Sequence, residues 1–493
     1  MTQNDIRQLT DKRITEIRNT PSIEPSGRVI YVDPDGDDSN DGLSPQTPWK
    51  TLEKIHSANE DGTIHSGDTV LFRRGGLWRG FFTVLVPNVT YSAYGQGQKP
   101  RIYSAPRNYA DPSLWQETSA PNVYLCADKF DRTRDVGFIA LNGGDIYGIK
   151  DIPIFSDKDG CCVQHDKRYP LNGFFDVKED CHFFHDWRSE KLYFCSHKGN
   201  PGDRFDSIEL SLRTNTISVY ADNVTIDNIC IRHTGSHGIG TGTLKNLRVQ
   251  NCEFGWIGGS ILPSSYTKEG LVRAERYGNG VEIYGGCDGY VIENCLFYQI
   301  YDAGMTFQYM VGEPDDNSSM LNILFKDNVA IDCYYSIEYF LYITHPTNPS
   351  HVDNVVFEGN ILSHSAYGMC MQRTDKVGGA HIKAKYVANC GENFVMRNNI
   401  FNEGAVNLFA MGIEQKNTDY KCAFPKMEGN TYVQHRDHGY GFYRNVSDPS
   451  DPLTYSSDKF GPDEHWRILM QDPTATIIEA DDEVLVIGRE FEE

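Results

Sequence analysis

Val224-Thr-Ile-Asp-Asn-Ile229, Leu247-Arg-Val-Gln-Asn-Cys252, Tyr290-Val-Ile-Glu-Asn-Cys295, Val355-Val-Phe-Glu-Gly-Asn-Ile361 and Val395-Met-Arg-Asn-Asn-Ile400 are variants of one phrase. Each is a short apolar run, then an asparagine, then another apolar residue. The asparagines form a ladder: Asn228, Asn251, Asn294, Asn328, Asn360, Asn399 and Asn430. Short strands recurring every 20–50 residues or so indicate a solenoid. Asparagine tolerates the left-handed backbone of a tight corner, and its amide can bond the backbone of the next coil. The repeat therefore predicts an all-β fold, a right-handed parallel β-helix solenoid. It has an N-terminal helix or cap, and long loops form a cleft on one face.

The totals agree. A chain of 493 residues with 39% hydrophobic content suits a thin-cored solenoid, which lengthens without splitting its core. A formal net charge of −22 argues against nucleic acid and anionic membranes as partners. Thirteen cysteines show no CxxC pair and no metal-ligand spacing, so they read as small buried apolar residues in a reducing compartment. The N-terminus lacks the apolar core of a signal peptide, and no run is long enough to span a membrane. A cytoplasmic protein is expected, as monomer or homo-oligomer.

Four regions follow. Residues 1–27 hold an amphipathic helix over 5–18, with Ile6, Leu9, Ile14 and Ile17 on one face, placed to plug an open end. Residues 28–215 hold the cap, the first coils and an inserted β-element, 216–445 the regular coils, and 446–493 a tail over the last edge. The acidic loop Asp33-Pro-Asp-Gly-Asp-Asp-Ser-Asn-Asp-Gly42 lacks the glycine and the terminal glutamate of a calcium loop, so it reads as side-chain-stabilised turns.

The block from Val29 to Gly42, with Ser44-Pro-Gln-Thr-Pro-Trp-Lys-Thr-Leu52, Gly67-Asp-Thr-Val-Leu-Phe-Arg-Arg-Gly-Gly-Leu-Trp-Arg-Gly80 and Tyr91-Ser-Ala-Tyr-Gly-Gln-Gly-Gln-Lys-Pro100, resembles the opening of pectate-lyase-like, right-handed parallel β-helix proteins of carbohydrate metabolism. Lys191-Leu-Tyr-Phe-Cys-Ser196 fits the same group, and the resemblance covers about residues 28–445. It implies a glycoside hydrolase or a polysaccharide lyase without naming a substrate.

A second strand follows most ladder asparagines. Aligning these strands gives an apolar column of Ile239, Val281, Met305, Ile337, Met369 and Val406. Side chains alternate along a strand, so the next column faces out: Gly240, Glu282, Thr306, Glu338, Cys370 and Asn407. Two places on lie Tyr284, Gln308, Phe340 and Gln372, and Asp302 precedes the Thr306 strand. Neighbouring strands lie ~4.8 Å apart, which separates Glu282 and Glu338 by about 9.6 Å at the backbone. Paired carboxylates at such spacings hydrolyse glycosides, one as acid and the other as base or nucleophile. Glu282, Asp302 and Glu338 are the expected catalytic set. Tyr284, Gln308, Arg276, Phe340, His345 and Gln372 are the expected substrate contacts, with His237 a further hydroxyl binder. Loops at 258–277, 310–320, 343–352 and 373–390 frame the face.

The first expectation is a glycoside hydrolase acting on oligosaccharides, with no metal and no cofactor. The alternative from the same resemblance is a lyase of uronate glycans, for which calcium is conceivable. The predicted outward columns hold no lysine or arginine, which counts against it. A non-catalytic carbohydrate-binding β-helix is the third reading.

Overall fold

In a computed structural model of the chain, each coil gives one strand to each of three long, mainly parallel sheets, stacked as a right-handed β-helix. The structure describes residues 1–152, 154–156, 161–164, 167–170, 177–265, 275–310, 319–342, 352–373, 379–387, 390–413, 424–445, 455–456 and 472–480.

The asparagine ladder resolves into two adjacent columns. The corner that needs a left-handed backbone is occupied by Asn228, Asn251, Asn294, Asp327, Gly359, Asn398 and Gly429, with φ between 52° and 66°. The next position points into the core. There Ile229, Cys252 and Cys295 give way to Asn328, Asn360, Asn399 and Asn430, all buried. Asn328 Nδ2 donates to Asn360 Oδ1 at 3.0 Å, Asn360 to Asn399 at 2.8 Å and Asn399 to Asn430 at 3.0 Å. Asn430 ends the chain of amides on Asp472 Oδ2 at 3.1 Å. Each amide also donates to a backbone carbonyl of the preceding coil, at 2.9 Å in all four cases. A side chain that satisfies both its donors this way pins one coil to the next.

The third sheet carries the site. Its strands are β1 (Phe82–Val84), β2 (Ile217–Val219), β3 (Ile239–Thr241), β4 (Val281–Tyr284), β5 (Ala303–Met310), β6 (Tyr335–Tyr342), β7 (Ala380–Val387), β8 (Asn407–Ile413), β9 (Gly439–Asn445) and β10 (Tyr455–Ser456). Ile217, Ile239, Val281, Met305, Ile337, Ile382 and Phe409 face one another across β2 to β8 and are buried in the main core. Ile239, Val281, Met305 and Ile337 match the alignment read from sequence. Met369 and Val406 do not belong to it. Gly368–Gln372 is a 3-10 turn, entered through Gly368 at φ 75°. A Cβ on Gly368 would lie 2.3 Å from Gln299 Oε1, the atom that accepts the Met369 N–H. The next strand is instead Ala380-His-Ile-Lys-Ala-Lys-Tyr-Val387, whose alternation over Ile382–Lys385 suits a half-buried sheet.

Helix α1 (Gln3–Arg18) forms as expected, with a Thr2–Asp5 capping box, but it does not plug an end. Its Ile6, Ile14 and Ile17 pack on Trp256, Leu296, Tyr298, Val329 and Ile331, outward-facing side chains of the second long sheet. Apolar residues on that flank need cover, and α1 supplies it. Helix α2 (Leu52–Glu60) packs Leu52, Ile55 and Ala58 into the start of the main core. The acidic loop folds as self-satisfied turns. Asp38 Oδ1 takes the N–H groups of Lys50 and Thr51 at 2.7 and 2.9 Å, and Asp41 and Asp37 cap local turns.

Strands between residues 115 and 195 form a five-stranded sheet with its own core around Trp115, Phe183, Leu192 and Phe194. A buried trio ties it to the β-helix. Lys150 Nζ lies 2.8 Å from both oxygens of Asp135, His185 Nδ1 lies 2.9 Å from Oδ1, and the Ile261 N–H donates to Oδ2 at 2.8 Å. Burial pushes Lys150 down to about 8 against the pull of Asp135. Burial alone would raise Asp135, but Lys150 and His185 outweigh it and hold it well below the usual carboxylate range. The described cysteines, Cys230, Cys252, Cys295 and Cys333 among them, are buried free thiols. Among the described residues no helix is long and apolar enough to cross a membrane.

Asn360→Ala removes both donors and the acceptor of one rung. It leaves the Asn328 amide without its acceptor, at a cost of ~1–3 kcal/mol per buried polar group. Urea unfolding should show a lower midpoint for this variant. Asn246→Ala, at an exposed position of the strand Leu244–Gln250, should change it far less.

Candidate active site

Glu282, Thr306, Glu338 and Lys383 lie in register on β4, β5, β6 and β7, one residue after the buried column. Glu282 and Glu338 are thus two strands apart, about 9.6 Å at the backbone. Asp302 stands at the entry to β5, on the coil between them. The expected carboxylates therefore share one face, and each has a different environment.

Glu282 is the strained acid of the three. Asn279 Nδ2 donates to its Oε2, and His237 Nδ1 lies 3.2 Å from the same oxygen. Burial pushes its pKa up, and the charges of Glu338 and Asp302 add to that; His237 and Asn279 pull the other way without reversing it. Asn279 is a coil-to-coil brace, because its Oδ1 takes the Ala303 N–H at 2.8 Å and its own N–H meets His237 Nδ1 at 3.2 Å.

Glu338 is paired with a cation. Lys383 Nζ binds its Oε1, and Gln308 Nε2 donates to Oε2 at 2.8 Å. Lys383 also lies 4.4 Å from the Tyr335 ring centre and 5.2 Å from that of Phe340. Asp302 is clamped by Arg373, whose Nη1 donates to Oδ1 at 2.8 Å. The Arg373 guanidinium is fully buried between the Tyr301 and Tyr334 rings, at 5.2 and 4.7 Å. A charge-assisted pair so enclosed keeps Asp302 fixed in place.

The other expected contacts divide. Tyr284 stands out from the face at 52% exposure, and Phe340 is half-buried on it. Gln308 touches Glu338, as above. Arg276 is 2% exposed. Its Nε donates to Gly259 O at 2.6 Å, Nη2 to Gly137 O at 2.8 Å and Nη1 to Gln372 Oε1 at 3.1 Å. In place of the expected substrate contact, Arg276 is a scaffold residue. Gln372 is another, since it lies off the outward column and also accepts the Lys150 N–H at 3.1 Å. His381 is buried in the core side of β7 with its pKa pushed down to about 3 by burial. His345 lies outside the described residues.

Three features escaped the sequence reading. Lys383 and Lys385 replace Cys370 and Gln372 in the outward columns, so those columns do carry lysine. The alternation of Ala380–Val387 was the available signal. Asn279 had none beyond its place three residues before Glu282. Tyr220 follows β2 as Tyr284 follows Ile283 on β4, and is 66% exposed, so two rings stand in one row two coils apart. Among the described residues no set of three or more His, Cys, Asp or Glu is placed to hold a metal.

Comparison with known proteins places this arrangement. No family profile matches the chain. A lacto-N-biosidase of Bifidobacterium longum subsp. longum is 25% identical over 329 residues, 57% of this chain. The chain spans only 20% of that relative's length. A solved glycoside hydrolase superposes with a TM-score of 0.51 at 11% identity, over 85% of this chain and 90% of its own. A lacto-N-biosidase from Eubacterium ramulus gives a TM-score of 0.43 at 12% identity, over 96% of this chain and 70% of its own. The fold is that of the parallel β-helix proteins, with glycoside hydrolases and lyases among the solved structures that resemble it.

Because the folded state favours the protonated form of Glu282, its charge costs stability once pH rises through its raised pKa. Glu282→Gln should melt higher than the wild type at neutral pH. The gap should close as pH falls below the ordinary glutamate range, where both side chains are neutral. Thermal melts across pH check this.

Proposed function

We propose that the chain is a glycoside hydrolase acting on oligosaccharides, with Glu282 as general acid and Glu338 as its anionic partner. One observation carries the proposal. Two glutamates share a column two strands apart in unlike surroundings. Burial favours neutral Glu282, whereas Glu338 is paired with Lys383 and accepts from Gln308. Two carboxyl groups set in such different surroundings fit an acid and a base or nucleophile. The lacto-N-biosidase relative supports the same class.

In this scheme the Glu282 carboxylic acid delivers its proton to the glycosidic oxygen as the bond to the sugar carbon breaks. The Glu338 carboxylate stabilises the positive charge that develops on the sugar, and either activates water or adds to the carbon. Asp302, fixed by Arg373, adds negative potential to the same space and helps keep Glu282 protonated. Tyr284, Phe340 and Tyr220 offer ring faces to sugars. The buried free thiols support a reducing, cytoplasmic setting.

A second reading keeps a place because of Lys383 and Lys385. A lyase needs a base beside an acidic sugar, and these lysines stand in the outward columns. Lys383 is engaged by Glu338 and does not stand as a free base, which favours the hydrolase.

Purified protein on a panel of aryl glycosides and oligosaccharides, with chelator, should release sugar and form no ultraviolet-absorbing unsaturated product. Glu282→Gln and Glu338→Gln should each lower kcat by about 10²–10⁴-fold. Wild-type kcat/KM should fall as pH rises through the raised Glu282 pKa. Unsaturated product would move the assignment to a lyase.

A further inference from the structure

Away from the carboxylate face, α1 and the second long sheet enclose a cavity of about 340 Å³. Arg18 of α1, Lys99, Arg101 and Arg232 line it, with Glu253 as the one acidic side chain of its wall. Register explains the grouping. Arg101, Cys230 and Glu253 face one another on three consecutive strands, and Arg232 lies two places further along its strand. In a protein of formal net charge −22, four cations against one carboxylate is an unusual local surplus.

The carboxylate is already committed. Arg232 Nη2 donates to Glu253 Oε1 at 2.7 Å, Tyr298 Oη to the same oxygen at 3.0 Å, and Arg18 Nε to Oε2 at 3.2 Å. Burial would raise Glu253, but Arg232 and Arg18 outweigh it and hold it down at about 2. Lys99 is 5% exposed, and its Nζ donates to an uncharged amide, Asn228 Oδ1, at 2.7 Å. Arg74 Nη2 donates to the same oxygen at 3.0 Å, and burial pushes Lys99 down. Arg101 donates no side-chain hydrogen bond among the described residues, and its buried Nε has no acceptor. Arg232 is 6% exposed and its Nε likewise has none. Buried guanidinium donors are normally satisfied, because leaving one unmade costs more than the bond contributes. The C-terminal end of α1 adds roughly half a negative charge, which leaves the surplus positive.

We propose that this cavity binds a small ligand carrying a tetrahedral oxyanion, a phosphate or a sulfate. Several oxygens on one atom suit guanidinium forks approaching from Arg101 and Arg232, with Lys99 as a point charge. The volume falls in the range of small-molecule sites, so it has room for an organic body beside the anion. The site lies on a different sheet from Glu282 and stands whether or not the hydrolase assignment holds.

The test is titration of the full chain with inorganic phosphate, read by thermal melts and calorimetry against chloride at matched ionic strength. Sulfate, and a hexose phosphate against the free hexose, form the other arms. A saturable rise in melting temperature with phosphate is expected. Arg101→Gln should weaken binding by about tenfold or more, the loss of one strong contact. That variant keeps its fold, since the guanidinium holds no other group by a hydrogen bond. Tighter binding of the hexose phosphate than of phosphate identifies a phosphorylated sugar, and preference for sulfate identifies a sulfated ligand. No saturable shift beyond chloride, or an equal shift in Arg101→Gln, overturns the proposal.

Discussion

The buried amide ladder is the interaction on which the rest depends. Asn328, Asn360, Asn399 and Asn430 donate in sequence along the helix axis, and each also holds a carbonyl of the coil before. In a sheet with a side-chain period of two, a slip of one residue turns every side chain to the other face. The ladder fixes the corner, so the strands that follow it start in phase. Glu338 follows the Asn328 rung directly, and Glu282 and Thr306 lie on the coils before it, whose corners are joined by a bond of their own, Asn294 Nδ2 to Asn251 Oδ1 at 2.6 Å.

How far the site was legible follows from the same constraint. Where ladder and second strand are close in sequence, as from Asn228 to Ile239 and from Asn294 to Met305, alternation alone gave the right column. It failed after Asn360, because a 3-10 turn intervenes between corner and strand. Nothing in Gly368-Met-Cys-Met-Gln372 announces that its backbone yields to the side chain of Gln299, seventy residues before Met369. The two functions of asparagine, left-handed corner and core amide, were legible as residue types. Their division into neighbouring columns was not, because Asp327 and Gly359 take the corner in some coils. Arg276 shows the remaining limit. Its position before the Glu282 strand is visible in sequence, whereas the carbonyls of Gly259 and Gly137 that absorb its donors come together only in the fold.

Charge is distributed by sheet. On the third sheet the carboxylates are crowded and offset unequally, by Lys383 at Glu338, by Arg373 at Asp302, and only by polar groups and His237 at Glu282. Unequal compensation leaves Glu282, with its pKa raised by burial, unlike the two carboxylates that are paired with a cation. The insertion contributes at second hand. Asp135, Lys150 and His185 lock it to the β-helix, and Gln372 links Lys150 to Arg276, which stacks at 4.2 Å on the same Tyr301 that backs Arg373. On the second sheet the balance reverses, and the surplus is positive.

The central claim is that the face formed by β4 to β7 is where a glycosidic bond is broken. The most direct measurement is a crystal structure of Glu282→Gln, soaked with whichever oligosaccharide the wild type turns over. The account predicts a sugar lying across this face, with the glycosidic oxygen within about 3 Å of the residue 282 side chain and a sugar ring against Tyr284 or Phe340. An oligosaccharide bound elsewhere on the molecule, with this face empty, would contradict it.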